Sequence, residues 1–402
     1  MLLAAVHIPG KKGLQDIRID GEKITGLESH ETSSGIFREK SLRFENAIAF
    51  PGLINSHDHL DFNLFPRLGN RKYKSYREWG ADIHLQNKAV IDQVLKVPKL
   101  LRTQWGIYKN LLNGVTTVLQ HGEKLEITTD LLSVEQSAKA LHSLAGEKRW
   151  KFKLISPVGV GKPVVIHTGE GTDTLSSLEI DRLTHWNIFG RKLIGIHGVA
   201  MDPGQARHFK ALVWCPDSNF FLLNKTAPVR ELKKITTILF GTDSTLTASW
   251  NIWEQMRLAR SQQLLSDEEL FRAVSTRAAE VWKLDGSGEI GKGRQADIVV
   301  AKVDPADHGW DRFYGVNPED ILLVLRKGKI NLFDASLQQQ LSSTISTQEF
   351  HQVCVGNNRK FVNGNLPALM KEIARYHPSF QFPISCSMPL RHNRPADEWS
   401  QS

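Results

Sequence analysis

The sequence predicts an α/β fold built on a parallel sheet or barrel. Three observations point there. Short β-branched and aliphatic runs recur as far as residue 241, and stretches of helical spacing lie between most of them. Four of the runs end on, or just before, a histidine or an aspartate. In a parallel arrangement such residues share one rim, while the apolar residues fill the interior.

The first 48 residues read as short strands and turns: MLLAAVHIPG opens as a strand, Ile17 and Ile19 alternate, and DGEKI at 20–24 supplies a turn. Residues 49–57 form a buried-strand candidate ending at His57. The polar and aromatic stretch from Asp61 to about Asn87 is too long for an idle connection, so it forms a lid or contains short helices. Helical spacing runs from Ile91 to Asn113, with Gly114 as its cap. VTTVLQH at 115–121 is a strand, and Leu132, Ala138, Leu141 and Leu144 share one face of a helix over 129–147. Further strands are expected at 151–156, 163–167, 193–197, 211–215 and 237–241. The gap between the first two of these is too short for a helical crossover, so one unit is reduced or one strand is misassigned. Beyond Asp243, Trp253, Met256 and Arg260, and then Leu270, Phe271, Val274, Ala278 and Val281, form helical packing stripes. Residues 286–303 are turns feeding a strand, and 321–332 form a hairpin bent at Lys327-Gly328. No chemistry is legible after about residue 345, and Pro389, Arg391, Arg394 and Pro395 read as a tail or strap.

Composition narrows the function classes. The 402 residues, 41% apolar and 23% charged, suit an ordinary globular protein of one large domain with an accessory lobe, or of two to three smaller domains. Cys215, Cys354 and Cys386 lie far apart and match neither a disulfide framework nor a zinc knuckle, which favours a reducing, cytoplasmic setting. The opening lacks a charged leader and a long hydrophobic core, so it is expected to be a strand and not a signal peptide. No run reaches the length of a membrane span. The net charge of +8 is dispersed, with small clusters at Arg71, Lys72 and Lys74 and at Lys225, Arg230, Lys233 and Lys234. Without interleaved aromatic residues these do not mark a nucleic-acid groove. The expected partner is a small molecule; a homodimer is compatible with the sequence and not required by it.

In NSHDH, His57 and His59 are two residues apart, so on a strand they point the same way. Such a pair arises easily by chance and needs further ligands. PVVIHTGEG supplies His167 at a strand end and Glu170 three residues on; LIGIHGVAMD ends its strand at His197; ILFGTDS places Asp243 just past another. A lone strand-end histidine is more often hydrogen-bonded scaffolding, and a lone aspartate after Gly-Thr serves equally well as a cap. Together, two imidazoles on one strand face and two later rim residues supply three nitrogens and an oxygen, donors suited to Zn²⁺ or Fe²⁺.

PGLINSHDHL, IHTGEG, IHGVAMD, CPDSNFFL and FGTDS together resemble the metal-dependent amidohydrolase superfamily. STRAAEVWKLDGSGEIGKGRQADIVV is similar to the stretch where such chains leave the barrel for a small β-sandwich. The resemblance spans about residues 16–332 and implies a (β/α)₈ TIM-like barrel over 49–284. It also implies a sandwich lobe built from 1–48 and 285–345, which leaves 346–402 as an extension. Within the superfamily the pattern resembles the mononuclear deaminase and chlorohydrolase branch. That implies one divalent metal, zinc before iron, on His57, His59, His167 and Asp243, with Glu170 and His197 acting on the proton and the attacked centre. No strand-four lysine suited to carbamylation is evident, since nothing in the setting of Lys153 argues for that role.

The implied chemistry is hydrolytic deamination of an aminated heterocycle such as a purine, pyrimidine, triazine or pterin. Asp243 would be both ligand and base, Glu170 the proton donor, and His197 the group that holds the developing charge. Hydrolysis of an amide or cyclic-amide C–N bond uses the same parts, and a catalytically silent scaffold is the third alternative. His121, ending a strand, and Phe62, Phe65 and Arg67, on the loop after the histidine pair, are candidate substrate contacts. Cys215 reads as a small buried residue without a base beside it, and His30, Glu31 and Thr32 carry no functional reading.

Overall fold

A computed structural model describes residues 1–31, 41–159, 161–342 and 349–386. Its centre is a set of parallel strands running in chain order. Leu53–Asp58, Val115–Gln120 and Ser133–Glu135 form one arc. Lys139–Leu141, Val164–Thr168, Leu193–His197, Phe209–Trp214 and Thr237–Phe240 form a second. Ile54, Leu119, Val165, Ile194, Ile196, Ala211, Val213 and Leu239 meet in one buried cluster, drawn from the inward faces of both arcs. The alternate residues Val164, Ile166, Leu193, Leu212, Ile238 and Phe240 belong to the larger cluster shared with the surrounding helices. At the open edge the amide of Asp243 donates to the carbonyl of His57 at 3.0 Å, which holds the last strand against the first. Gly241 permits this approach, because a Cβ there would lie 2.7 Å from the His57 Cβ.

Residues 129–147 are not a helix, and 151–156 are not a strand. Ser133–Glu135 pairs with Val115–Gln120, while Lys139–Leu141 pairs with Val164–Thr168. The three residues between them cannot make a crossover. The segment 133–141 is therefore one broken stave that touches each arc with one half. Parallel staves thus number seven among the described residues, and the compression expected between 151 and 167 lies instead at 133–141. KFKLI misleads because its alternation also fits a short helix: Trp150–Ile155 buries Trp150 and Leu154, four apart, and leaves Phe152 73% exposed.

The strand expected over 49–57 divides at Gly52. Ala47–Pro51 pairs antiparallel with Ile298–Lys302, and Leu53–Asp58 opens the parallel set. The helix expected over 91–113 is likewise two, Lys88–Leu95 and Lys99–Leu112, separated at Pro98. The long stretch after His59 contains a short helical turn, Leu60–Phe62, and the helix Tyr76–Gln86.

Two further sheets lie beside the arcs. The first, of four strands, is drawn from residues 2–29 and 41–43; the second, of seven, from residues 47–51, 298–302, 321–334, 350–363 and 384–385. Leu3, Ile17, Ile24, Ile298, Val300 and Leu323 share one buried cluster between them. The segment after 345 thus holds more order than its sequence suggested. Phe350–Val355 and Asn358–Asn363 extend the seven-stranded sheet, and Leu366–Tyr376 packs on the helix Lys99–Leu112. The proline- and arginine-rich end and Thr32 lie outside the described residues.

Candidate metal centre and active-site cleft

His57, His59, His167, His197 and Asp243 converge at the C-terminal ends of the parallel strands. The first pair reaches this rim through an irregularity: the register with Val115–Gln120 shifts between Asn55 and Asp58. Such bulges re-aim side chains at functional sites. Asp58 points the opposite way, into a buried polar nest. Its Oδ2 accepts from Lys109 Nζ at 3.0 Å, Asn110 at 2.8 Å and Asn55 at 3.2 Å, and its Oδ1 from Asn63 at 2.8 Å. The acidic residue between the two histidines is thus an anchor behind the site and not a ligand.

His167 Nε2 lies 3.2 Å from His57 Nε2 and 3.4 Å from His59 Nε2. Asp243 Oδ1 stands 3.7 Å from His57 Nε2 and 3.9 Å from His59 Nε2. A neutral imidazole offers one N–H at most, so three converging nitrogens cannot satisfy one another. Nitrogens each 2.0–2.1 Å from a tetrahedral ion stand about 3.3 Å apart, and the donor set is three nitrogens and a carboxylate oxygen. The residues therefore fit a divalent ion. Burial, followed by the neighbouring histidines, holds His57 and His167 well below the ordinary imidazole range, which keeps their lone pairs available.

Asp243 and His197 both adopt positive φ, +57° and +70°. Neither is glycine, so both conformations are strained, as is common where a side chain is aimed for function. The turn at His197 ends the alternation that buries Ile194 and Ile196 inward. Its Nδ1 meets Asn219 Oδ1 at 2.9 Å, while the Asn219 amide donates to Thr226, so Nδ1 carries the proton and Nε2 faces the site. Asp243 Oδ2 accepts from Ser218 at 2.9 Å and Thr247 at 3.0 Å, and Oδ1 accepts the Ser244 amide at 2.8 Å. Burial pushes the Asp243 carboxyl up, but His59, His197 and these hydrogen bonds outweigh it and keep it low.

Glu170 is buried with Oε1 3.6 Å from His197 Nε2. Burial first, then the carboxylates of Asp243 and Glu179, hold it well above the usual carboxyl range. One acid low and one high in the same cleft is the separation that acid–base chemistry uses.

A cleft of about 80 Å³ opens over these groups, walled by His59, Phe62, Tyr76, Trp79, His142 and Leu246. Phe62 stacks on His59 with centroids 5.4 Å apart and planes at 18°. The remaining candidate contacts fall elsewhere. Phe65 backs Phe62 at 5.7 Å and does not line the cleft. Arg67 turns away to pair with Asp217. His121 is buried under the ligands, its ring 4.5 Å from that of His167, and it lines a separate cavity of about 230 Å³. Cys215 is buried with its thiol pushed up by desolvation, unsuited to attack. Tyr76, Trp79 and His142 carried no signal in the sequence. They sit on the helix after the histidine pair and beside the broken stave, where no rim pattern points to them.

Residues 159–331 match the profile of the Amidohydrolase family. The chain is 24% identical over 383 residues to a 5-methylthioadenosine/S-adenosylhomocysteine deaminase of Caldicellulosiruptor saccharolyticus, covering 80% of this chain and 89% of the relative. Among solved structures, it resembles an adenosine deaminase from Xanthomonas campestris with bound zinc. The TM-score there is 0.71 at 15% identity, covering 94% and 98% of the two chains. It also resembles the aminofutalosine deaminase of Helicobacter pylori, at a TM-score of 0.62 and 14% identity, covering 82% and 99%. By its family profile and its relatives the chain is similar to the metal-dependent amidohydrolases. It is a hydrolytic enzyme. The two structural likenesses speak to the fold, and the convergent nitrogens speak to the metal.

Proposed function

We propose that this enzyme removes the exocyclic amino group of an aminated heterocycle, and that its substrates are 6-aminopurine nucleosides. The observation that carries the reading is one cleft that pairs a three-histidine, one-aspartate donor set with a buried carboxyl held toward its protonated form. Two curated relatives support the purine class, a 5-methylthioadenosine/S-adenosylhomocysteine deaminase and a 5′-deoxyadenosine deaminase of Methanococcus aeolicus. The two arcs are read as one reduced (β/α) barrel and the two flanking sheets as a sandwich. His57, His59, His167 and Asp243 would hold the ion, and zinc suits their nitrogen-rich set. Such an ion supplies Lewis acidity, lowering the pKa of water from 15.7 toward about 7.

The chain's own groups supply the rest. Asp243, kept ionised, takes the proton that the attacking water loses. The water oxygen bonds to the amine-bearing carbon, and Glu170 gives its proton to the adjacent ring nitrogen. The C–N bond then breaks as Asp243 passes its proton to the departing amine, which leaves as ammonia. The new hydroxyl returns a proton to Glu170, so the ring keeps an oxo group. His197, its Nδ1–H fixed by Asn219, presents Nε2 to the attacked centre and orients the water. Phe62 and Trp79 give the heterocycle apolar faces and shield the site from bulk solvent. General acid–base transfer of this kind contributes roughly 10² to 10⁴ in rate.

The purified, metal-loaded enzyme should be offered adenosine, 5′-methylthioadenosine, cytosine, an aminotriazine, a pterin and a cyclic amide, with products followed by mass and ammonia assay. The proposal expects ammonia and an intact oxo-purine from the nucleosides. A ring-opened product from the cyclic amide, with no ammonia from any aminated ring, would transfer the site to amide hydrolysis.

A further inference from the structure

Another cavity, of about 510 Å³, opens on the opposite face, at the N-terminal ends of the parallel strands. Its size is within the range of small-molecule sites. Lys162, Lys192 and Lys210 reach it from the strand starts, Lys283 from the link that follows the last barrel helix, and Arg326 and Lys327 from the hairpin of the flanking sheet. Three acids line it as well: Glu135, Asp285 and Asp297. The lining therefore carries a surplus of three positive charges within one concavity, against +8 for the whole chain.

The cations differ in how far they are engaged. Lys327 faces Glu22 at 3.6 Å, Arg326 donates to the Asp130 carbonyl at 3.1 Å, and Lys210 donates to the Val281 carbonyl at 2.6 Å. Among the described residues, Lys162, Lys192 and Lys283 have no side-chain hydrogen bond or ion pair. None of Glu135, Asp285 and Asp297 forms an ion pair with these three lysines among the described residues. Glu135 accepts from Ser133 at 2.8 Å, and Asp297 is occupied by the Lys327 amide at 2.6 Å. Burial and the nearby Lys192 and Lys283 depress the Lys210 ammonium, so like charges crowd here without relief. Thr117 and Ser137 add hydroxyls to the wall, and Trp282 and Leu284 add apolar surface. Exposed, unpaired ammonium groups bordering one concavity, with hydroxyl donors beside them, suit a tetrahedral oxyanion.

We propose that this rear cavity binds a phosphate-bearing small molecule, with Lys192, Lys210 and Lys283 holding the phosphate. The site is separate from the metal centre and does not depend on the deaminase reading. It has a physical route to it, however. Glu135 and Trp282 also wall the cavity behind His57 and His121, and Trp282 Nε1 donates to Ser56 at 3.1 Å.

The test is equilibrium dialysis and calorimetry of the full-length, metal-loaded chain at fixed ionic strength. The probes are inorganic phosphate and uridine 5′-monophosphate, which has no exocyclic amine for the front site to remove. Two charge-matched double variants are compared. One is Lys192→Gln with Lys283→Asn, asparagine tolerating the left-handed backbone of Lys283 at φ +59°. The other is Lys11→Gln with Lys12→Gln, on the exposed first turn. The proposal expects saturable one-to-one binding that falls roughly tenfold or more in the first variant and is unchanged in the second. Tighter binding of the nucleotide than of phosphate assigns a nucleotide ligand, and equal binding assigns the bare phosphate group. No saturable binding, equal loss in both variants, or binding unaffected by the first variant would overturn it.

Discussion

Replacing Lys109 by methionine isolates the anchor behind the metal centre. Lys109 and Asp58 are an ion pair with side chains 2% and 0% exposed, their charged atoms 3.0 Å apart. At an effective dielectric near 20, charges at that distance attract by about 5–6 kcal/mol. Methionine keeps the volume and removes the charge, leaving Asp58 with amide donors from Asn55, Asn63 and Asn110. Those donors solvate the carboxylate in part, so the expected loss is about 3–5 kcal/mol, the range for a buried charge that loses its partner. Equilibrium urea unfolding followed by tryptophan fluorescence reads it. Adding Asp58→Asn removes the stranded charge and should recover more than half of the loss. A single variant within about 1 kcal/mol of wild type, or a double variant worse than the sum of the singles, would refute the view that the acid of NSHDH serves the scaffold.

Glu170→Gln should retain the metal and the fold while lowering kcat by roughly 10² to 10⁴, measured by ammonia release beside elemental analysis. Glu170 must be protonated to act, so turnover should fall as pH rises through its elevated pKa; Glu179→Gln removes a neighbouring like charge and should move that alkaline limb to lower pH in a kcat/KM profile. Phe62→Ala removes the ring stacked on His59 and should raise KM by roughly fivefold to tenfold, with metal content unchanged.

What the sequence made legible follows from where its signals are strong. Val164–Thr168 and Leu193–His197 are fully buried strands whose apolar runs give way to a histidine, so the rim histidines stand out. The stretch 129–156 misled because each of its segments is too short to separate the two periodicities: three residues at 133–135, three at 139–141 and six at 150–155. Lys109 gave no warning, because a lysine on an amphipathic helix ordinarily faces water, and only the tertiary fold shows it turned inward to Asp58. Arg67 and Phe65 follow the histidine pair closely in sequence, yet the turn at Leu60–Phe62 carries them past the cleft. Tyr76 and Trp79 come back to it from a helix that begins over a dozen residues later, a return that local pattern does not encode.

The shared cation is tested most directly by elemental analysis of the purified chain and of an Asp243→Ala, His167→Ala variant, read beside ammonia release before chelation, after chelation and after restoring zinc. About one divalent ion per chain, its loss from the variant, and activity that disappears with the ion and returns with it are the predicted results. A chain that binds no divalent metal in any state, or that releases ammonia undiminished after thorough chelation, would contradict the account.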